Sequence, residues 1–130
     1  MNHPHPGLGT PSKLVAGGLR IVALGGLAEI GRNMTVFETN GKLLIVDCGV
    51  LFPEENQPGI DLILPDFSYI RDRLADVIGI VLTHGHEDHI GAVPYFAQEL
   101  GVPLYATPFT ADLVARKLDA RDVAAELAHL

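Results

Sequence analysis

The sequence predicts a mixed α/β fold, and three observations predict it. Short apolar runs rich in β-branched residues come first, at 19–24, 33–39 and 42–47. From Ile78 onward, strand-like and helix-like segments alternate. Of the 130 residues, 48% are apolar, enough for the core of one ordinary domain.

Each element can be justified in order. Residues 1–18 contain Pro4, Pro6, Pro11, Gly17 and Gly18 and read as a flexible arm, so order is expected over 19–130. His3 and His5 belong to that arm, and Met1–Pro11 lacks the charged-then-apolar layout of a secretory signal. Leu19–Leu24 suits a strand stopped by Gly25-Gly26. Asn33–Thr39 reads as a second strand, Asn40-Gly41 as a tight turn, and Lys42–Asp47 as the returning strand. Leu43-Leu44-Ile45-Val46 is apolar without alternation, so burial on both faces is expected.

A long irregular stretch follows, Gly49–Pro65, with Pro53, Pro58 and Gly59 inside it; loops of this length usually serve function. Asp66 is placed to cap a helix running through Ala75, with Phe67, Ile70 and Leu74 at helical spacing. Ile78–Thr83 is a strand, Gly91–Leu100 a helix ended by Gly101, and Val102–Ala106 a strand. Pro108–Leu118 reads as a helix with proline in its first turn, and Asp122–Leu130 as one more helix. Ending inside a helical pattern, the chain reads as the first part of a longer protein. It has no internal repeat.

Charge and composition exclude several classes. The formal charge is −7, which opposes a generally basic surface that coats nucleic acid. Cys48 is the only cysteine, so no intrachain disulfide forms and a reducing cytoplasm is the natural setting. No apolar run reaches the length of a membrane span.

The chemistry is concentrated in His84-Gly85-His86-Glu87-Asp88-His89, where three of the six histidines fall within six positions. On an extended backbone, residues two apart point the same way, so His84, His86 and Asp88 converge. His89 joins them if the chain turns, which Gly91 favours, while Glu87 points away and is not a ligand. Imidazole and carboxylate together suit first-row divalent metals. Four potential ligands exceed what one catalytic ion takes from one segment, yet leave each of two ions short, so other segments must contribute. A metal-free polar loop is the bland alternative, but side chains this costly to bury seldom follow an apolar strand by accident. The C-terminal end of such a strand is also where α/β sheets place ligands.

Asp47 ends another apolar strand and has two readings. It orients a metal-bound histidine, or it is a strand-end turn residue bonded to nearby backbone. Cys48 beside it fits a small buried side chain better than a zinc ligand, having no partner cysteine. Gly25-Gly26-Leu27-Ala28-Glu29-Ile30-Gly31 has the wrong spacing for a dinucleotide fingerprint and lacks a Walker lysine, so a tight turn is expected, with Arg32 solvated.

The His84–His89 segment resembles the His-x-His-x-Asp-His signature of the metallo-β-lactamase superfamily. Gly25–Met34, Asp47-Cys48-Gly49, Phe52-Pro53, Leu64-Pro65-Asp66-Phe67 and Ile90-Gly91-Ala92, in this order, look like the opening of the bacterial ribonuclease J family. The resemblance runs from Leu19 to the end, which makes 19–130 the first part of a metallo-β-lactamase domain. It implies a four-layered αββα sandwich, of which this chain carries the first half. It implies two divalent ions, zinc by preference, with manganese or magnesium as alternatives. His84 and His86 would bind one ion and Asp88 and His89 the other, with Asp88 and His89 catalytic. Asp47 matches the family's first-motif aspartate, which supports its role behind a ligand.

Such enzymes are cytoplasmic 5′-to-3′ exonucleases and endonucleases in RNA decay and rRNA processing. They favour a 5′-monophosphate, carry an inserted β-CASP domain and form homodimers or homotetramers. The later histidines and the bridging aspartate of the family have no match here, so the segment alone is expected to be inactive. Two rivals remain: a hydrolase of an acyl substrate such as a lactam or thioester, and a non-catalytic metal-binding module.

Overall fold

Asn40 and Gly41 both take positive φ, 48° and 76°. That is the backbone a two-residue hairpin needs to match strand twist. The turn joins β2 (Met34–Thr39) to β3 (Lys42–Val46), which pair antiparallel from Thr39↔Lys42 to Thr35↔Val46. β1 (Arg20–Gly25) adds to the outer side of β2, also antiparallel. These contacts come from a computed structural model that describes residues 12–130. Of the arm expected over 1–18, residues 1–11 lie outside the described residues, and 12–18 carry no helix or strand.

The second half is parallel. β4 (Val77–Val81), β5 (Leu104–Ala106) and β6 (Leu127–His129) add in sequence order beside β3, giving a six-stranded sheet β1-β2-β3-β4-β5-β6. Parallel crossovers are right-handed, so a sheet growing in one direction keeps its connecting helices on one face. Those connections hold α1 (Ser68–Arg71), a 3-10 turn (Leu74–Asp76), α2 (Glu87–Ile90), α3 (Val93–Leu100) and α4 (Pro108–Ala120). Under them Val36, Ile45, Ile80 and Leu104 form one buried row across the sheet, against Phe67, Ile70, Val93, Phe96 and Val114. Phe67 and Phe96 meet edge to face at 4.4 Å.

The opposite face carries Phe37, Leu44, Val46, Val81 and Tyr105, all only half-buried, and Ile21, which is exposed. The burial of Leu43–Val46 on both faces is therefore met on one face only, Leu43 and Ile45 being fully buried. The described residues supply one helical layer and one sheet of the αββα arrangement.

Three elements depart from expectation. The helix expected from Asp66 to Ala75 is one turn long. Its N-cap is Phe67, and Asp66, one residue earlier, accepts the Ser68 N–H at 3.0 Å in a local turn. The chain then tightens, with the Arg73 N–H bonding Ile70 three residues back at 2.9 Å, which brings the Arg73 guanidinium to Glu38. The helix expected over Gly91–Leu100 starts two residues later, as α3 from Val93, and a separate turn, α2, precedes it over Glu87–Ile90. The expected last helix, Asp122–Leu130, is instead the strand β6. Asp122 takes φ 54° as the chain leaves α4, and Leu104 then accepts Leu127 as its parallel neighbour. The free edge of β5 offers backbone partners, which outweigh the helical propensity of Ala124-Ala125-Glu126. The Leu104 N–H bonds Glu126 O and the Leu130 N–H bonds Ala106 O, both at 2.8 Å.

The core face carries one carboxylate. Glu38, 6% exposed, accepts from Arg73 at 2.8 Å and from Arg20 at 3.4 Å, and Arg73 also reaches Asp76 at 3.2 Å. Removing one partner from a buried charge costs more than the pair contributes. Arg73→Ala is expected to lower the unfolding free energy by about 1–3 kcal/mol, and Glu38→Leu added to it should recover part of the loss. Chemical denaturation checks both; a neutral Arg73→Ala would show that Arg20 alone satisfies Glu38.

Candidate metal centre

β2 runs away from one edge of the sheet, while β3 and β4 run toward it. Three loops therefore gather there: 26–33 before β2, 47–65 after β3, and 82–86 after β4. Because Val46 pairs with Val81, the residues just past each strand end become neighbours despite lying far apart in sequence.

Asp47 occupies that junction. It takes φ 64° and is 6% exposed. Its Oδ1 accepts the Thr83 N–H at 2.8 Å, and its Oδ2 lies 2.7 Å from His89 Nδ1. The Thr83 hydroxyl, 3.0 and 2.9 Å from the two carboxylate oxygens, donates to Asp47. Asp47 thus closes the strand-end turn and also grips a histidine.

Two proton positions follow. A carboxylate only accepts, so His89 Nδ1 carries a hydrogen, and in the neutral ring Nε2 then offers its lone pair. The Thr83 hydroxyl spends its one hydrogen on Asp47 and accepts from His84 Nδ1 at 3.0 Å. His84 Nε2 is therefore free as well. One buried carboxylate sets the tautomer of two histidines, one directly and one through a hydroxyl.

The histidine segment is only partly extended. His86 is extended (ψ 147°) and precedes α2, so Asp88 and His89 sit on the first helical turn. The turn falls at Glu87 rather than near Gly91, which has ordinary helical φ and is buried beneath Val50. The four side chains still gather. His84 lies 4.0 Å from His89 and 4.8 Å from His86, ring centre to ring centre, and His89 Nε2 is 3.3 Å from Asp88 Oδ2. His84 and His86 are exposed; Asp88 and His89 are about a quarter exposed. Glu87 points away, as expected, and pairs with Lys117 on α4. Among the described residues, no three His, Cys, Asp or Glu side chains meet closely enough to hold an ion unaided.

The donor set nonetheless fits divalent ions. Two ligand atoms on one tetrahedral zinc, each about 2.0–2.1 Å from it, stand roughly 3.3 Å apart. His89 Nε2 and Asp88 Oδ2 have that separation. Cys48 does not join them: burial, reinforced by the adjacent Asp47 carboxylate, pushes its thiol far above its ordinary value, so it stays a protonated core group.

Three residues with no assigned role complete the site. The Asn33 side chain donates to Asp88 O at 3.0 Å and approaches Asp88 Oδ2 at 3.3 Å. Thr83 relays Asp47 to His84. Gly49 lets backbone meet backbone: a Cβ there would fall 1.6 Å from Asp88 O. Around it, Cys48 N bonds His89 O, Val50 N bonds Glu87 O and Ala92 N bonds Cys48 O, at 2.8, 3.1 and 2.9 Å. The segment after β3 is thus laced to the ligand turn. Asn33 and Gly49 stand inside the motifs read from the sequence, but their partners are tertiary.

A cavity of about 470 Å³ lies between the 26–33 and 47–65 loops, lined by Arg32, Phe52, Asn56 and Gln57 among others. Arg32, expected to be solvated, pairs with Glu29 at 2.9 Å, and that bond holds the Glu29 carboxyl below its ordinary value.

Residues 28–125 match the model of the metallo-β-lactamase superfamily. The chain belongs to this superfamily. Over 108 residues it is 58% identical to ribonuclease J of Mycobacterium tuberculosis and 60% identical to that of Corynebacterium glutamicum. Each match covers 82% of this chain, and 19% and 15% of the respective relative. Ribonuclease J of Helicobacter pylori is 44% identical over 117 residues, 90% of this chain and 16% of the relative. The chain thus spans less than a fifth of these relatives' length. Among solved structures, the short form of human tRNase Z superposes with a TM-score of 0.54 at 18% identity, over 84% of this chain and 43% of that one. Zinc-bound PqqB from Methylobacterium extorquens gives 0.53 at 15%, over 85% and 45%. At such identities these structures speak for the metallo-β-lactamase fold alone.

Proposed function

We propose that this chain is the metal-binding first part of a ribonuclease that hydrolyses RNA phosphodiesters with two divalent ions, as a 5′-to-3′ exonuclease and an endonuclease. The observation that carries this is the pairing of a His84-x-His86-x-Asp88-His89 centre with 44–60% identity to ribonuclease J over most of the chain. His84 and His86 would hold one ion and Asp88 and His89 the other, zinc by preference and manganese or magnesium as alternatives. Bound there, the ions supply acidification of water and screening of phosphate charge.

The chain's own residues do the rest. Asp47 keeps the hydrogen on His89 Nδ1, and Thr83 receives the one on His84 Nδ1, so each Nε2 stays available. Asp88 adds the negative charge that makes the pair attractive to a cation. With a net charge of −7, this segment attracts phosphate weakly, and RNA contact falls to basic surfaces elsewhere in the protein. The remaining ligands and the group that protonates the leaving oxygen belong there too. A 5′-monophosphate preference, a role in rRNA processing, a homodimer or homotetramer and a cytoplasmic location complete the reading. Among the described residues no helix is long and apolar enough to cross a membrane.

The test uses the full-length protein with 5′-monophosphorylated and 5′-triphosphorylated RNA, beside a thioester and a β-lactam. RNA cleavage is expected, faster on the monophosphate, abolished by a chelator and restored by zinc or manganese. Hydrolysis of the thioester or lactam with RNA left intact would overturn the proposal.

A further inference from the structure

We propose that Asn33 is a positioning residue for the metal centre: its side-chain amide holds the Asp88 carboxylate in the orientation that a cation needs. This rests on the metal-centre reading above and adds a residue to it.

The Asn33 side chain does more than dock its loop. The Asn33 backbone already ties the loop down, its N–H donating to Asp88 O at 3.1 Å and its carbonyl accepting from Gly49 N at 3.0 Å. A loop that only needed anchoring would be served by those two bonds. The side-chain amide contributes two more hydrogens. One points to Asp88 O at 3.0 Å, the other to Asp88 Oδ2 at 3.3 Å. The same nitrogen lies 3.5 Å from His89 Nε2, so it sits against both atoms assigned to one ion.

The loop is also shaped around this side chain. Gly26 takes φ 82°, and a Cβ there would come within 2.4 Å of Asn33 Oδ1. The amide thus has backbone packed behind it and the ligand pair in front.

An amide suits this task for a chemical reason. Its nitrogen has no lone pair to give, so it can steer Asp88 without capturing the ion. Being neutral, it leaves the attraction between carboxylate and cation intact. By occupying Oδ2 from one side, it restricts rotation of the carboxyl group and leaves Oδ1 and one lone pair of Oδ2 for a metal. Partners of this kind typically change metal affinity about 10–100-fold when removed.

The experiment uses the full-length protein, stripped with a chelator and titrated with Co²⁺ alone. Affinity is read from the titration, and ligand geometry from the cobalt visible absorption. For Asn33→Ala, we expect one of two cobalt affinities to fall about 10–100-fold, with a shifted visible band and a melting temperature of the metal-free protein close to wild type. Asn33→Asp keeps the shape but turns donor into acceptor beside Asp88, so its band should shift even though the loop keeps its packing. Met34→Val, in the adjacent core position, should lower the melting temperature and leave the cobalt spectrum unchanged.

If both Asn33 variants bind cobalt with wild-type affinity and spectrum, the positioning role is wrong while the metal centre stands. If the wild-type protein binds no cobalt, or His84→Ala and Asp88→Ala bind it unchanged, the metal-centre reading falls and this inference with it.

Discussion

Replacing His84 or Asp88 by alanine in the full-length protein is expected to abolish RNA cleavage while leaving the fold in place. Each substitution would remove one of the two ligands this segment gives to an ion. The loss should exceed the roughly 10–100-fold seen when a residue only orients a ligand. Stability should hardly move, because neither side chain is buried: His84 is exposed and the Asp88 side chain is 27% exposed. Substitutions of that kind usually fall within about 0.5 kcal/mol. Three measurements belong together: the cleavage rate, the bound metal per chain and the thermal melt. A variant that cleaves RNA at near-normal rates with its metal still bound would remove these residues from the centre.

The second large effect is expected at Asp47, and it combines stability with metal binding. Asp47→Ala removes the acceptor for the Thr83 N–H and hydroxyl and for His89 Nδ1. Thr83 is exposed and His89 only partly buried, so each bond lost costs about 0.5–1.5 kcal/mol rather than the full penalty of a buried group. Alanine must also adopt the left-handed backbone at φ 64°, which adds about 1 kcal/mol. We expect a total loss of about 3 kcal/mol or more from these terms, and a fall in metal affinity at the upper end of the 10–100-fold range. Asp47→Asn separates the two effects. Asparagine tolerates the left-handed backbone and offers one oxygen, so it should fold while still binding metal more weakly. Wild-type metal affinity in Asp47→Asn would show that the charge on Asp47 contributes nothing to the histidines it touches.

Sequence by itself determined everything in this protein that depends on neighbours along the chain. Asn40-Gly41 specifies a hairpin because both residues accept positive φ, whatever surrounds them. The apolar runs specify strands, and Pro108 a helix start at the residue where α4 begins. The His84–His89 cluster is visible because six consecutive positions carry it. Its chemistry is also local, since imidazole and carboxylate suit a divalent cation in any setting.

Only the tertiary structure decided what depends on groups far apart in sequence. Asp47 was poised between a turn residue and a partner of a ligand, because nothing local ties it to His89, 42 positions away. The parallel pairing of Val46 with Val81 brings them together, so one carboxylate serves the turn and touches the histidine. Asn33, Thr83 and Gly49 were silent for the same reason: an amide, a hydroxyl and a missing Cβ acquire a role only from what they face. Asp122–Leu130 reads locally as a helix, but strand pairing is a long-range bond. The open edge of β5 supplies it, and local propensity is too weak to resist. Propensity and motif act within a few residues, whereas burial and hydrogen-bond satisfaction are settled by the folded neighbours, and the geometry of this centre belongs to the second kind.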